Sequence, residues 1–419
     1  MNLSFIILNT VEILGLPVII FIFALPKMFR YIKRSRGTFI RRFYLPSSFL
    51  SATGGYWFQA SSVGEVKIAV ALAGRLKKAA VPLYLFAMTP EGRKLGKETG
   101  VFDGCFMAPA DIFFIVRSFL AKVRPRLLIL IELQLWPNLV DQASRFTKIV
   151  LVNGRISDKS FAKYKLIKCF TRMLFKKISF ISARTKKDAL RFASLGAARE
   201  KIRITGNIKY DILTSSASFA VSRREYSIQE HSFVITAGST HGEEEEMIVQ
   251  AVSLLPSGEG GENTLCIIAP RHTERVGEIE KMLKKRNLAY SLFSRRRGIK
   301  QGDNFLIVDV FGILADMYQI ADVCFVGGSL VPHGGQNFVE AVNKRKAVVV
   351  GPFNSNFQHE FDILKSEMLV VNDADSLKKA FEKLMRSPSE REKLAALSYE
   401  KLKTLTGALD RNVRIIAGV

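Results

Sequence analysis

The sequence has few residues of the kinds that support disulfide, redox or metal chemistry. Its 419 residues include four cysteines, Cys105, Cys169, Cys266 and Cys324, and no two of them form a Cys-x-x-Cys pair. Disulfide scaffolds and zinc ribbons need closely spaced cysteines, so both classes are excluded and we expect reduced thiols. No His-x-x-x-His spacing, G-x-x-x-x-G-K-[ST] phosphate loop or G-x-S-x-G elbow occurs.

Acidic residues are also scarce relative to basic ones. The chain has 38 Asp and Glu against 62 Lys and Arg, a formal net charge of +24. Such an excess indicates a polyanionic neighbour, either nucleic acid or an anionic membrane surface. No stretch interleaves aromatic and basic residues as RNA-binding proteins do, so nucleic acid is not an expected partner. A hydrophobic content of 48% excludes a mainly disordered chain.

The longest apolar stretch covers residues 3–26 at the N-terminus. A helix of that length can cross a hydrocarbon core of ~30 Å, so we predict a membrane anchor over residues 1–26. The alternative is a buried N-terminal helix. A basic segment follows at residues 27–42, and by the positive-inside rule it places the rest of the chain on the cytoplasmic side. Anionic membrane lipid is therefore an expected partner of this segment.

Short apolar runs alternate with helical patterns after this segment, which predicts doubly wound parallel α/β sheets. Residues 213–232 break the alternation and are predicted to be a linker. The fold class is therefore α/β, with two Rossmann-like domains, residues 27–212 and 233–419, facing a cleft and binding ligands at the carboxyl ends of their strands. The predicted strands are 56–60, 83–88, 127–131, 148–152, 180–183, 202–205, 233–237, 265–269, 305–308, 323–326 and 347–350.

Two carboxylates stand where predicted strands end. Glu65 comes shortly after the first strand, beside a predicted helix start, where the helix N-terminus stabilises an anion. Glu65 could act as a general base that takes a proton from a sugar hydroxyl, and the alternative is a carboxylate that only caps the helix. Glu132 directly follows five apolar residues. An acid in that position is costly unless it is paired or faces a cleft.

The second half of the chain contains several turns suited to a phosphate-bearing ligand. Turns at residues 238–241, 270–272 and 327–329 follow predicted strands, so their backbone N–H groups and Arg271 could bind phosphate. A fourth segment has Gly334 and Gly335 before a predicted helix.

On that predicted helix Asn337 and Glu340, three residues apart, would face the same way. Glu340 could then accept hydrogen bonds from two ribose hydroxyls, and the alternative is a plain capped helix. The acidic run Glu243–Glu246 is interpreted as a solvated helix start.

Taken together, these motifs resemble the 3-deoxy-D-manno-octulosonic acid (Kdo) transferases of Gram-negative lipopolysaccharide synthesis, from the N-terminus to about residue 365. The segments that carry the resemblance are 57–65, Glu132 with 135–138, 152–157, 206–211, 237–241, 270–272, 311–314, 327–329 and 334–340. Four positions depart from the usual pattern of the family: Gln59, Gln134, Gln336 and Ala341. Such departures would suit a member with an altered number or linkage of Kdo residues, as in chlamydia-like enzymes.

The resemblance implies a GT-B fold and an inverting transfer of Kdo from CMP-Kdo to lipid A precursor (lipid IVA) at the cytoplasmic face of the inner membrane. It implies no metal and no cofactor. Glu65 matches the general base of the family, and Glu132 and Lys209 match residues that stabilise the transition state. With the turns above, the expected donor-binding residues are Ser239, Pro270, Arg271, Phe311, Gly312, Ile313, Gly328, Ser329, Asn337, Phe338, Val339 and Glu340.

Three other functions remain as alternatives. The first is a GT-B transferase or epimerase that uses a UDP-sugar, which CMP would not protect against thermal unfolding. The second is a membrane-associated protein that binds nucleic acid through its positive charge. The third is a structural anchor without catalysis, which an inactive but folded Glu65→Gln variant would exclude.

Overall fold

The computed structural model describes residues 40–44, 53–77, 81–215, 221–256 and 263–419. The chain forms two compact units, one of Met1–Ile212 with Thr406–Val419 and one of Leu213–Leu405. The predicted anchor over residues 1–26 lies outside the described residues. Within the described ranges, no helix is both long enough and apolar enough to cross a membrane.

The first unit is built on a parallel sheet of seven strands in the order β3-β2-β1-β4-β5-β6-β7. All five residues of its central apolar strand are buried, as expected for a parallel strand covered on both faces. The order reverses direction between β1 and β4, which are hydrogen-bonded neighbours. The strands are β1 Tyr56–Ala60, β2 Leu83–Ala87, β3 Gly104–Met107, β4 Leu127–Ile131, β5 Lys148–Gly154, β6 Phe180–Ala183 and β7 Ile202–Ile204.

Helices cover both faces of this sheet, and several begin at a residue that caps them. The first starts after Ser62, whose hydroxyl accepts a hydrogen bond from the N–H of Glu65 at 3.2 Å. Its apolar face, which includes Val66 and Leu72, is buried. The helices are α1 Val63–Leu76, α2 Pro90–Glu98, α3 Phe113–Val123, α4 Pro137–Ala143, α5 Asp158–Leu166, α6 Lys168–Lys177, α7 Lys186–Ser194 and α8 Ile208–Ser215.

The second unit also has seven parallel strands, in the order β10-β11-β9-β8-β12-β13-β14, and its order reverses between β8 and β12. Ligands of such sheets bind outside the carboxyl ends of the strands at the point of reversal. The strands are β8 Phe233–Thr240, β9 Thr264–Pro270, β10 Tyr290–Leu292, β11 Phe305–Ile307, β12 Val323–Val326, β13 Ala347–Val350 and β14 Leu369–Val370. The helices are α9 Gly242–Ser253, α10 Val276–Lys285, α11 Phe293–Arg296, α12 Leu314–Ile320, α13 Val339–Asn343, α14 Gln358–Leu364, α15 Ala374–Arg386 and α16 Pro388–Thr404.

The C-terminal segment differs from its predicted place in the second domain. Helix α17, Ala408–Gly418, belongs to the first unit together with the rest of residues 406–419. Its buried Ile416 joins the apolar cluster of α1, and Asp211 Oδ1 accepts a hydrogen bond from the N–H of Gly407 at 2.6 Å. The physical reason is that α1 has an apolar face that α17 covers.

The predicted linker over residues 213–232 also differs in part from the structure. Residues 221–232 pack on the second unit instead of running free of it. Arg223 Nη2 lies 2.8 Å from Asp322 Oδ2, and Tyr226 is buried with its carbonyl accepting a hydrogen bond from the N–H of Ile299. A charged, irregular sequence is therefore folded here through side-chain contacts, which local pattern does not reveal.

Candidate active site

The two carboxylates predicted from the sequence stand at the reversal point of the first sheet. Glu65 follows β1 and Glu132 follows β4, and these strands are neighbours. Carboxyl ends of parallel strands meet at one edge, so the two acids stand together there. The negative charge of Glu132 is near enough to raise the pKa of the Glu65 carboxyl.

A hydrogen-bond network fixes the Glu65 side chain. Its Oε2 accepts from the backbone N–H of Ser61 at 2.5 Å and from Nε2 of Gln134 at 2.9 Å. Oε1 of Gln134 accepts from the Ser61 hydroxyl at 2.6 Å and from Nε1 of Trp136 at 2.7 Å. An indole N–H can only donate, so the amide oxygen of Gln134 must face Trp136 and its nitrogen must face Glu65. Glu65 therefore receives two donors on one oxygen.

The environment of Glu65 raises its pKa. Burial is the largest cause and raises it, the N–H of Ser61 lowers it, the charge of Glu132 raises it, and the N–H of Ser62 and the cation of Lys209 lower it. A carboxylate whose pKa is raised by desolvation is a stronger proton acceptor than an exposed one. Glu65 Oε2 therefore contacts Gln134 as well as the backbone at the start of α1.

Glu132 is paired with two cations. Its Oε1 contacts Nη2 of Arg184 and lies 3.1 Å from Nζ of Lys209. The Arg184 side chain is 8% exposed, so this pair is largely removed from water. The sequence analysis had not identified Arg184 as a site residue, although it directly follows β6 and that position is the signal that could have indicated it. The structure thus brings Glu65, Glu132 and Lys209 together and adds Arg184.

Two residues at the cluster of Glu65, Glu132, Lys209 and Arg184 have left-handed backbone conformations. Glu132 and Asn153, at the ends of neighbouring strands β4 and β5, have φ of 59° and 57°. Such left-handed conformations are uncommon for residues other than glycine and occur often at functional sites. Oδ1 of Asn153 accepts from the N–H of Ile208 at 3.0 Å, and its carbonyl accepts from Nε of Arg184 at 3.1 Å. Asn153 therefore positions both the start of the helix that carries Lys209 and the Arg184 side chain.

Three histidines gather at the carboxyl edge of the second sheet. The ring centroids of His241 and His333 are 4.2 Å apart at an interplanar angle of 18°, and those of His241 and His272 are 6.0 Å apart at 73°. Burial lowers the pKa of His241, as do the nearby His333 and His272 and the cations of Arg271 and Arg275. The imidazoles and the Arg271 guanidinium are hydrogen-bond donors that could bind an anionic ligand at this edge. Its histidines were not predicted as a cluster, although two of them lie in the turns at residues 238–241 and 270–272.

The backbone N–H groups of the predicted phosphate turn at residues 327–329 already donate hydrogen bonds to a side chain of the protein. Glu244 is fully buried, and its carboxylate accepts from the N–H groups of Gly328, Ser329 and Leu330 at 2.7, 2.9 and 2.9 Å. The interpretation of the run Glu243–Glu246 as a solvated helix start is therefore wrong for Glu244, and also for Glu245, which is buried and pairs with Arg275 at 3.1 Å. A buried carboxylate needs several donors, and these backbone groups satisfy it. The N–H groups of Gly328 and Ser329, predicted to bind the donor, are therefore used within the protein.

Other predicted donor-binding residues lie at neighbouring strand ends. Ser239 has a φ of 55° at a bulge in β8. Pro270 is the last residue of β9, and Arg271 follows it. Phe311 is 74% exposed, and Gly312 after it has a φ of 95°, which favours glycine. Ile313 follows as the residue before α12.

The segment from Asn337 to Glu340 combines one polar pair with two core residues. Nδ2 of Asn337 donates to Oε1 of Glu340 at 2.8 Å, so these side chains face the same way, as predicted. Phe338 and Val339 are fully buried, so the structure places both predicted donor-binding residues in the core of the second unit. The described part of the chain contains no group of three or more His, Cys, Asp or Glu side chains arranged to hold a metal ion.

The fold places the chain among two-unit α/β proteins that include sugar transferases and nucleotide-sugar epimerases. It matches a UDP-GlcNAc 2-epimerase from Neisseria meningitidis bound to UDP-GlcNAc with a TM-score of 0.61, over 87% of this chain and 100% of that one. A glycosyltransferase from Rickettsia africae gives a TM-score of 0.59 over 86% of this chain and 97% of that one. The sequence identities are 13% and 12%, so these likenesses show the fold alone.

Sequence relatives define the family. A family model described as 3-deoxy-D-manno-octulosonic-acid transferase (kdotransferase) matches residues 35–212. The chain is 34% identical over 368 residues, 85% of both chains, to the 3-deoxy-D-manno-octulosonic acid transferase of Haemophilus influenzae. The chain therefore belongs to the Kdo transferase family and is a glycosyltransferase, which confirms the resemblance drawn from the motifs.

Proposed function

We propose that this enzyme transfers Kdo from CMP-Kdo to a hydroxyl of lipid A precursor with inversion at the sugar carbon, and that Glu65 is the general base. The observation that carries the proposal is the network around Glu65. Its Oε2 is held by Ser61 and Gln134 at 2.5 and 2.9 Å, while Oε1 makes no hydrogen bond to another described residue. The carboxylate is thus fixed with one oxygen available for the acceptor hydroxyl.

The reaction follows from this geometry as a single displacement. Glu65 takes the proton of the acceptor hydroxyl, and the hydroxyl oxygen forms a bond to the anomeric carbon of Kdo. The bond from that carbon to the phosphate oxygen breaks, and CMP leaves with the electron pair. Positive charge develops on the sugar, which favours a nearby carboxylate. Glu132, held by Arg184 and Lys209, is the second carboxylate at this edge.

The donor site proposed for the second unit contains hydrogen-bond donors for an anionic ligand. CMP-Kdo carries a phosphate and a sugar carboxylate, and Arg271 with the three clustered histidines could stabilise the charge of the leaving CMP. The exposed ring of Phe311 is suited to stacking on the cytosine base. Glu340, already paired with Asn337, could accept from ribose hydroxyls. This proposal requires no metal and no cofactor.

The proposed location is the cytoplasmic face of the inner membrane, with one N-terminal anchor, with the first unit as the acceptor domain and with the second unit, residues 213–405, as the donor domain. Its support is the apolar stretch at residues 3–26 followed by the basic segment at 27–42. A lipid acceptor fits an enzyme held at that surface.

The test compares wild-type protein with Glu65→Gln in a transfer assay. CMP-Kdo is generated in the reaction because it is labile, the acceptor is tetraacylated lipid A precursor, and products are identified by mass. We expect a loss of ~100-fold or more in kcat for Glu65→Gln, because the amide cannot take a proton. The product masses also give the number of Kdo residues added.

Glu91→Gln is the matched control, because Glu91 is an exposed glutamate in the first turn of the neighbouring helix α2. It should keep wild-type activity. Undiminished transfer by Glu65→Gln would exclude the base role. Thermal protection by UDP but not by CMP, with no Kdo transfer, would instead favour the UDP-sugar alternative.

A further inference from the structure

Helix α5 is unusual in the first unit because none of its nine residues is buried. The helix nevertheless contains Phe161, Tyr164 and Leu166. Leu166 is 87% exposed, and Ile167, which joins α5 to α6, is 48% exposed. A surface helix normally buries an apolar face against its domain. Phe161 and Tyr164 do so in part, since both pack against the core of the unit, but packing does not account for the exposed Leu166 and Ile167.

The sheet does not need α5 to connect its strands. In a parallel sheet the chain must return from the carboxyl end of β5 to the amino end of β6. Helix α6 has ten residues and so spans about 15 Å, enough for this return, and its Thr171, Leu174 and Phe175 are buried. Helix α5 is therefore an addition between the end of β5 and the start of α6. It stands at the carboxyl edge of the sheet, the edge that carries Glu65 and Glu132.

The charge of this segment is strongly one-sided. Residues 155–177 contain eight Lys or Arg and a single acid, Asp158. Asp158 already contacts Arg191 and lies 3.2 Å from Nζ of Lys187. Exposed lysines therefore surround the exposed apolar pair on the same short stretch. The nearest in sequence are Lys163, Lys165 and Lys168.

We propose that α5 and its junction with α6 form a docking surface for an anionic lipid bilayer. Leu166 and Ile167 enter the boundary between headgroups and acyl chains, and the flanking lysines contact lipid phosphates. This contact is separate from the predicted anchor and holds the carboxyl edge of the first sheet against the surface. It fits the proposed lipid acceptor, because it brings the edge that carries Glu65 to the headgroups.

A native cysteine allows a direct test on the full chain. Cys169 is exposed beside the junction, Cys266 and Cys324 are buried, and burial raises the pKa of Cys105 to about 11. An environment-sensitive thiol dye will therefore label Cys169 selectively. The labelled protein is added to vesicles of phosphatidylcholine alone or with one third phosphatidylglycerol. We expect a blue shift and an emission increase of about twofold only with phosphatidylglycerol, reversed by high salt.

Two double variants locate the contact. Lys163→Glu with Lys165→Glu should remove the dye response, since each basic residue near an anionic surface changes binding about fivefold. Leu166→Ser with Ile167→Ser should lower the response severalfold by removing the inserted apolar groups. Leu190→Ser on α7 is the matched control, because Leu190 is 58% exposed in the same unit and should leave the response unchanged.

Several outcomes would overturn the docking surface. These are an unchanged dye signal while the protein sediments with phosphatidylglycerol vesicles, an equal response with phosphatidylcholine alone, or a response only to added RNA. Loss of the signal in Leu190→Ser equal to that in the junction variant would also contradict it. The readout needs no donor, acceptor or turnover, so its failure is distinguishable from failure of the proposed transfer.

Discussion

The amide of Gln134 determines how Glu65 is held. Trp136 and the Ser61 hydroxyl both donate to its oxygen, at 2.7 and 2.6 Å, and its nitrogen is left to donate to Glu65. A donor at that position stabilises the ionised form of Glu65 and opposes the effect of burial on its pKa. Gln134 is therefore a positioning residue, and it stands where the family pattern usually has an acid.

The variant Gln134→Glu should shift the acidic limb of the pH profile. A second carboxylate in place of the amide 2.9 Å from Glu65 Oε2 would replace a donor with a like charge and raise the pKa of Glu65 further. Because a base must be ionised, activity is lost as pH falls through that pKa, so the limb should move to higher pH. The measurement is kcat/KM for Kdo transfer against pH.

Gln134→Met separates charge from the loss of a donor. It keeps the size of the side chain but donates no hydrogen bond. The acidic limb of its pH profile should therefore move to higher pH by less than that of Gln134→Glu. Identical limbs in wild type and Gln134→Glu would contradict the assigned role of Gln134.

Sequence alone identified some of these residues and missed others for a physical reason. Glu65 and Glu132 were predictable because an acid at or shortly after the end of a buried strand stands at the edge where ligands bind. Arg184 was missed although it directly follows β6, and Glu244 was missed because a glutamate in an acidic run has the local pattern of a solvated residue. Only contacts distant in sequence, such as Glu244 with Ser329, reveal their burial.

At the scale of elements, the start of α9 and the turn after β12 are joined by Glu244. Its carboxylate accepts from three N–H groups of that turn and, at 3.0 Å, from the N–H of His241. The side chain thereby connects the two strand ends at the reversal point of the second sheet, β8 and β12. The histidine cluster depends on that connection because His241 is the residue before α9.

Glu244→Ala should destabilise the second unit by about 3 kcal/mol or more, because it leaves buried N–H groups without partners. The measurement is unfolding in denaturant followed by far-ultraviolet circular dichroism. Glu246→Ala is the matched control from the same acidic run. Glu246 forms an exposed ion pair with Arg286, worth at most about 1 kcal/mol. Equal destabilisation by both variants would contradict the role of Glu244.

Most elements could be predicted, and those that could not share a property. The long apolar strand β4 has the bounds predicted from its continuous run, and so do β1, β6, β12 and β13. The strands β3, β10 and β14 have two to four residues each and were not predicted. Length alone does not explain this, because β6, β12 and β13 have four residues each and were predicted. Pairing with a neighbouring strand defines strands this short, and the sequence does not show that pairing.

At the scale of the whole molecule, the first unit depends on a segment distant in sequence. Ile416 of α17 is buried beside α1, and Nδ2 of Asn412 donates to Oγ1 of Thr205 at 3.1 Å. The division into two α/β domains was predictable from the repeated alternation of elements. The return of residues 406–419 was not, because an amphipathic helix does not specify which unit covers its apolar face.

Ile416→Ala should destabilise the first unit by about 2–4 kcal/mol, the cost of a cavity at a buried isoleucine. Both tryptophans of the chain, Trp57 and Trp136, are in the first unit, so tryptophan fluorescence reports its unfolding. We expect the fluorescence midpoint to fall in Ile416→Ala and to stay at the wild-type value in Arg414→Ala, whose side chain is exposed. An unchanged midpoint in Ile416→Ala would contradict this assignment of α17.

The placement of α17 has a consequence for how the protein is made. The first unit consists of residues up to 212 together with residues 406–419. The second unit is therefore an insertion within the first. During synthesis the whole second unit is therefore made before the last helix of the first unit. The nascent first unit then exposes the apolar face of α1 for the time needed to add almost 200 residues, about 10–40 s at ordinary elongation rates. The enzyme is therefore expected to need chaperone protection during that interval.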